Sequence, residues 1–162
     1  HPTTILCGRL LEYVLASQID SSDTNKLSLL DVGTGSGVLA IEAWKMGIRI
    51  IDLFDYDPVS VEKADKNLKL NGIYSLKPFQ ADIYKYTSEK KYDIITANLL
   101  SRLIEDNISR LINLIIPEGK IILSGISTKW TNEMMNLFLN NRLEIVKHEI
   151  IDEWNGFILK KI

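Results

Sequence analysis

Three glycines spaced two apart, Gly33, Gly35 and Gly37, follow the apolar run Leu27-Ser28-Leu29-Leu30-Asp31-Val32. Lacking β-carbons, they let the backbone turn sharply and touch a ligand, and a helix starting just after them offers it unpaired amides. The spacing narrows the ligand. A dinucleotide fingerprint requires glycine where Val38 stands, and a phosphate loop requires a lysine after its last glycine, which this loop lacks. The loop suits instead a ligand with a carboxylate and a sulfonium, whose amino end Asp31 is placed to meet. Asp55 ends the next apolar run, where a carboxylate accepts hydrogen bonds from both ribose hydroxyls of a nucleoside, and Tyr56 follows it. Asp82, after a third run, is placed to meet an exocyclic amine. The competing readings are a glycine turn that only packs helix on strand, and for Asp82 an exposed loop carboxylate. Asp57 and Pro58 read as the N-cap and first residue of the next helix.

These residues need a sheet whose strand ends meet. Apolar spacing predicts a first helix through Ile5, Leu6, Leu10, Leu11, Val14 and Leu15, ending near Ile19, then a polar connection from Asp20 to Lys26. Strands follow at Leu27 to Val32, Arg49 to Asp55, Lys77 to Ala81, Tyr92 to Ala97 and Lys120 to Ser124. Helices are predicted at Gly37 to Met46, Pro58 to Leu70, Leu99 to Ile115 and about Lys129 to Leu139. Asn71-Gly72 closes the second of these four, and Pro117-Glu118-Gly119 reads as a turn. Such alternation implies an α/β, doubly wound sheet with helices on both faces. The last two strands, Leu143 to Ile150 and Trp154 to Lys160, are too close for a crossover helix and must form an antiparallel hairpin. Dinucleotide-binding sheets usually stay parallel, so the hairpin favours the methyltransferase variant of this architecture, a Rossmann-like sheet of seven strands.

At 162 residues, with 46% hydrophobic and 25% charged residues, the chain reads as one ordinary globular domain. The formal charge of −2 gives no global field for nucleic acid or an anionic membrane. Cys7 is the one cysteine, which excludes an internal disulfide and argues against a zinc site. No metal is expected. With no apolar run long enough to span a bilayer and no signal-peptide pattern, the expected setting is cytoplasmic.

Two further groups of residues narrow the reading: the opening His1-Pro2-Thr3-Thr4 with Cys7, and Asn98-Leu99-Leu100. With Asp55-Tyr56-Asp57-Pro58, Leu123-Ser124-Gly125-Ile126 and Trp154, the chain resembles the class I S-adenosylmethionine-dependent methyltransferases along nearly its whole length. Among these it is most similar to the bacterial family that methylates ribosomal protein L11, PrmA. The resemblance implies S-adenosylmethionine as donor and methylation of lysine and N-terminal amines of a large-subunit ribosomal protein. It places cofactor contacts on Thr4, Gly33, Asp55 and Asn98, to which the residue reading adds Gly35, Tyr56 and Asp82. The family's separate N-terminal recognition domain and glycine-rich linker have no counterpart in residues 1–162, so the substrate follows from resemblance.

Asn98 follows the fourth major strand, where a donor methyl would point. Its side-chain carbonyl and the backbone carbonyl of Leu99 can accept hydrogen bonds from an amine and aim the nitrogen lone pair, which makes Asn98 and Leu99 the catalytic candidates. A polar helix cap is the plainer role for Asn98, as it is for Thr4. Related nitrogen methyltransferases carry Asn-Pro-Pro-aromatic where this chain has Asn98-Leu99-Leu100-Ser101, so a planar base is poorly sandwiched and no direct nucleic-acid contact is expected. Trp44 and Trp130 fall on helical patterns and read as packing residues, Cys7 as buried, and His148 as an edge or core residue. The rival functions are an RNA or small-molecule methyltransferase and a catalytically silent scaffold.

Overall fold

The structure, a computed structural model, describes residues 1–17 and 23–162. Among these the chain forms one seven-stranded sheet with helices on both faces. In chain order the elements are α1 (Pro2–Ser17), β1 (Ser28–Val32), α2 (Val38–Lys45), β2 (Ile50–Asp55), α3 (Pro58–Leu70), β3 (Phe79–Gln80) and β4 (Tyr92–Asn98). They continue with α4 (Ser101–Leu114), β5 (Ile115–Ser127), α5 (Thr131–Asn140), β6 (Leu143–Ile151) and β7 (Trp154–Lys161). The sheet order is β3-β2-β1-β4-β5-β7-β6. Strands β1 to β5 are parallel to their neighbours, while β7 runs antiparallel to both β5 and β6. This is the Rossmann-like methyltransferase sheet with its closing hairpin. The order reverses between β1 and β4, and there the strand ends splay and leave a crevice for a ligand.

Side-chain alternation assigns each strand to two cores. Leu29, Leu53, Ile94, Ile122 and Ile158 face one layer, with the α1 stripe Cys7, Leu10, Leu11 and Val14 and with Ala40 and Ala64 of α2 and α3. Leu30, Phe54, Ile95, Ile121 and Phe157 face the other, against Ile104, Ile108 and Leu111 of α4 and Phe138 of α5. Each such large apolar side chain contributes about 1.5–3 kcal/mol by leaving water. A central parallel strand covered on both faces reads as continuously apolar, and all five residues of β1 are buried. Asn155 in β7 is a buried polar exception that is fully bonded: its Nδ2 donates to Ile126 O at 3.3 Å and Thr131 Oγ1 at 3.0 Å, and His148 Nε2 meets its Oδ1 at 2.7 Å. It ties the end of β5 and the start of α5 to the hairpin.

Several boundaries differ from the sequence reading. Residue 19, at the predicted end of α1, and the first part of the predicted polar connection lie outside the described residues; its last residues, Thr24–Lys26, form a 3₁₀ turn. Strand β3 shrinks to Phe79 and Gln80 because it pairs only with the last two residues of β2. Strand β5 begins at Ile115 and passes through the Pro117-Glu118-Gly119 turn as an interruption in its register: Tyr92 pairs with Ile115, but Ile94 pairs with Lys120. Glu118 sits there in the left-handed region at φ 66°. Helix α4 starts at Ser101, leaving Leu99 and an extended Leu100 before it, and α5 is preceded by a 3₁₀ turn at Thr128–Trp130. No described helix is long and apolar enough to cross a membrane.

Candidate functional site

The loop after β1 is fastened at almost every residue. Thr34 Oγ1 donates to Asp31 Oδ2 at 2.6 Å, Thr34 N to Phe54 O at 2.9 Å, Gly35 N to Asp55 Oδ2 at 2.8 Å, and Asn67 Nδ2 of α3 to Ser36 O at 2.8 Å. Asp31 is not in the wall of the cavity at the strand ends. It is 1% exposed, and both its oxygens are taken, the second by Thr96 Oγ1 at 2.7 Å. Burial drives its pKa up to about 6, although the two hydroxyls favour the ionised form and hold the rise back.

Beyond the ends of β1 and β2 lies a cavity of about 400 Å³. Gly33, Asp55, Tyr56, Asp82 and the catalytic candidate Leu99 line it, joined by Tyr84 and Leu103, which sequence reasoning left out of the site. Gly33 has φ 67°, and a β-carbon there would come within 2.5 Å of Leu99 Cδ2, so the loop can pass under Leu99 only as glycine. Asp55 Oδ1 accepts from Asp57 N at 3.0 Å, yet each carboxylate oxygen keeps a lone pair for a ribose hydroxyl. Asp82 Oδ1 accepts from Tyr84 N at 2.9 Å, making the turn that carries Tyr84 over the cavity, and Tyr84 Oη donates to Asp106 Oδ2 at 2.8 Å on α4. Gly35 is not in the cavity wall, and its amide donates to Asp55. The residues present fit a nucleoside-type cofactor: a mostly apolar slot, a carboxylate at the ribose position and a glycine cradle that a β-carbon would fill.

Thr4 and Asn98 stand outside that wall but meet each other, Asn98 Nδ2 lying 3.4 Å from Thr4 Oγ1. Neither is a helix cap. Thr4 lies inside α1, its N–H donating to His1 O, and the N-cap position of α4 is Leu100. The contact commits the amide nitrogen of Asn98 to Thr4, and its Oδ1 accepts no hydrogen bond among the described residues. Asp57 does cap α3, accepting from Val59 N with Pro58 beside it. Leu99 N donates to Ser124 O at 3.1 Å, and Gly125, at φ 85°, lies so close that a β-carbon would fall 2.3 Å from Leu99 O.

A second cavity, of about 560 Å³, opens where Leu100 points, on the side of the extended segment opposite Leu99. Its wall includes Gly125, Trp130, Glu133 and Trp154. Trp130 departs from its expected packing role: it is 45% exposed and lines this cavity, because the 3₁₀ turn takes it off the face that α5 buries. Trp44 does pack against the core, with Arg49 over its ring at 4.3 Å. Cys7 is buried, and His148 stacks on Phe157 at 4.3 Å. No group of three or more potential metal ligands occurs among the described residues.

A seven-stranded sheet in this order, with the glycine loop and the acid of β2 bordering one cavity at the strand ends, defines a Rossmann-like methyltransferase domain. The chain belongs to the ribosomal protein L11 methyltransferase (PrmA) family, whose model matches residues 1–162. It is 32% identical over 161 residues to a ribosomal protein L11 methyltransferase of Anoxybacillus flavithermus, covering 99% of this chain and 49% of that protein. It is 33% identical over 165 residues to one from Exiguobacterium sp., covering 99% and 49%. The crystal structure of a ribosomal protein L11 methylase from Lactobacillus delbrueckii subsp. bulgaricus superposes with a TM-score of 0.88 at 29% identity, covering 100% of this chain and 80% of that one. The chain thus spans about half the length of the curated relatives it matches.

Proposed function

We propose that the chain is the catalytic domain of an S-adenosylmethionine-dependent protein methyltransferase that modifies amino groups of ribosomal protein L11, on lysine side chains and the N-terminal amine. The observation that carries this reading is the contact between Asn98 and Thr4 beside the 400 Å³ cavity: it orients the amide so that its carbonyl oxygen is left to accept from an incoming amine. Membership of the family supports the substrate. Residues 1–162 as one catalytic unit, a cytoplasmic setting consistent with the buried thiol of Cys7, and the absence of a nucleic-acid partner belong to the same proposal.

When bound, S-adenosylmethionine supplies a methyl group made electrophilic by its sulfonium. Asp55 would hold the ribose hydroxyls, Gly33 would let the nucleoside approach the backbone, and Asp82 would face the base. Asn98 Oδ1 and Leu99 O would accept the amine's N–H groups and orient its lone pair toward the bound donor. The methylated amine would lose its surplus proton to water. A lysine amine has a reference pKa of about 10.4, so the site must favour its neutral form. The apolar side chain of Leu99 would do so by disfavouring the charged form. Catalysis is then mainly orientation and desolvation. Incubating the full-length protein with isotopically labelled donor and ribosomal protein L11, followed by intact-mass and peptide mass spectrometry, tests the reading. Added methyl groups on L11 amines are expected; an unmodified L11 beside a donor-binding enzyme would overturn the substrate.

A further inference from the structure

We propose that Asn155, with Ser124, is a positioning residue for the methyl transfer: from β7 it holds a bulge in β5 against the Asn98-Leu99 segment and so aims the carbonyl of Leu99. The proposal rests on the methyltransferase reading for its consequence in catalysis, though not for the brace itself. Leu99 lines the cofactor cavity and Leu100 the second cavity, so residues 98–100 partition the two. Beside this partition, where Ser124 pairs with Asn98, β5 leaves its register with β7. Leu123 pairs with Phe157 and Ile126 with Asn155, so Ser124 and Gly125 together face the single residue Gly156. Such a two-against-one insertion bends its strand, interrupts the ladder and re-aims what lies beside it. Here the neighbour is Leu99. Its N–H donates to Ser124 O at 3.1 Å, and the missing β-carbon of Gly125 leaves the room that Leu99 O occupies.

Buried polar groups hold the bulge in shape. Ser124 and Asn155 are both fully buried, where a polar group left unbonded costs far more than an apolar one. Neither is unbonded. Ser124 Oγ donates to Asn155 O at 2.9 Å, and Asn155 Nδ2 donates back to Ile126 O at 3.3 Å, so the two side chains span the bulge from either end. Ile126 O can only accept, which fixes the amide nitrogen on that side and turns Oδ1 to His148 Nε2 at 2.7 Å. The second N–H of the amide goes to Thr131 Oγ1 at 3.0 Å, and that hydroxyl donates to Thr128 O at 2.7 Å. Packing alone would be met at this place in β7 by an apolar side chain, which has no polar groups to satisfy. The asparagine instead gives the bulge one geometry, and Leu99 O takes its direction from that geometry.

The full-length protein is compared with its Asn155→Leu, Ser124→Ala and Leu159→Ala variants, at a temperature where urea melts show all four folded. Leu159, buried in β7 and paired with Ile121, lies away from the bulge, so its truncation loosens the strand without touching the brace. With saturating labelled donor and ribosomal protein L11, Asn155→Leu should lower kcat by about 30-fold and Ser124→Ala by about tenfold, while Leu159→Ala changes it less than about twofold. In all three the acceptor KM and the Kd for S-adenosylhomocysteine should stay within about threefold. Hydrogen exchange at the Leu99 amide reads the brace without activity: relative to the amide of Leu30 in β1, it should speed about tenfold in the Asn155 and Ser124 variants and not in the Leu159 variant. A kcat that falls no further in those two than in Leu159→Ala, or Leu99 exchange unchanged in them, overturns the proposal. Faster Leu99 exchange in variants of a protein that leaves L11 unmodified would support the brace and overturn the methyl-transfer reading instead.

Discussion

The cofactor cavity is walled by backbone and by loops pinned residue by residue, whereas the second cavity is walled by side chains drawn from α4, β5, the turn before α5, and β7. In the first, Asp55 spends one oxygen on Gly35 N and the other on Asp57 N, so its carboxylate and the glycine loop are set by the same bonds. In the second, fixed structure stops at Asn155, and the groups that reach the space, Trp130 and Glu133, are exposed. A common donor rewards a prearranged socket, because each fixed dipole lowers the ordering cost of binding.

The contrast can be broken in graded steps. Gly125→Ala strikes the partition between the cavities: its β-carbon would overlap Leu99 O at a backbone φ of 85°, forcing the 98–100 segment to move. A fall in kcat of about 1000-fold is expected, with donor affinity changed far less, since misplacement of about 1 Å costs on the order of 100-fold and two acceptors move together. Asn98→Ala removes one of those acceptors, and single-turnover rates should drop by about 100-fold while the Kd for S-adenosylhomocysteine stays within about threefold. An unchanged rate would remove Asn98 from the mechanism. Asp55→Ala should do the reverse, raising the donor Kd measured by calorimetry by about 30-fold through lost charge-assisted hydrogen bonds, with the acceptor KM nearly constant.

A fourth step is a pH titration of stability. Burial raises the folded-state pKa of Asp31 to about 6 from an ordinary 3.8, so the folded chain holds this proton more tightly than the unfolded chain. Its contribution is fully present below about 4 and is lost as pH rises through about 6. Urea melts of the wild type between pH 4.5 and 7.5 should lose about 2 kcal/mol relative to Asp31→Asn. Parallel curves for the two proteins would show that Asp31 does not titrate in this way. The smallest effect is expected for Tyr84→Phe, which cuts the bond to Asp106 on an exposed loop and should weaken donor binding by about threefold.

The cofactor side was the legible half. Gly33, Asp55, Tyr56 and Asp82 each fall at or just after the end of a strand, and parallel crossovers carry those ends to one edge of the sheet, so local sequence position already encodes spatial position. The hairpin at β6 and β7 was legible for a similar reason, since too few residues separate the strands to allow any other connection. Gly35 and Asp31 show the limit of that logic: sequence places them at the loop but cannot tell that Asp55 takes the amide of one and two threonine hydroxyls take the carboxylate of the other. The first part of strand β5, before the predicted start at Lys120, was hidden by Pro117, a residue that argues against a strand interior and is accommodated here by a register jump. The second cavity was illegible because its wall residues are far apart in sequence: Leu100, Gly125 and Trp154 stood in quoted motifs, but nothing in their spacing brought them to one wall. Trp130 even followed a helical pattern, and only the 3₁₀ turn frees it.

The antiparallel insertion of β7 between β5 and β6 also sets an order of assembly. The residues lining the cofactor cavity lie between Val32 and Leu103, so a chain emerging from its amino end holds all of them before the hairpin exists. The second cavity awaits Trp154, and the sheet's β5 edge stays open until the last strand slides in beside it. During synthesis this open edge is the segment of the domain most exposed to pairing with a foreign strand.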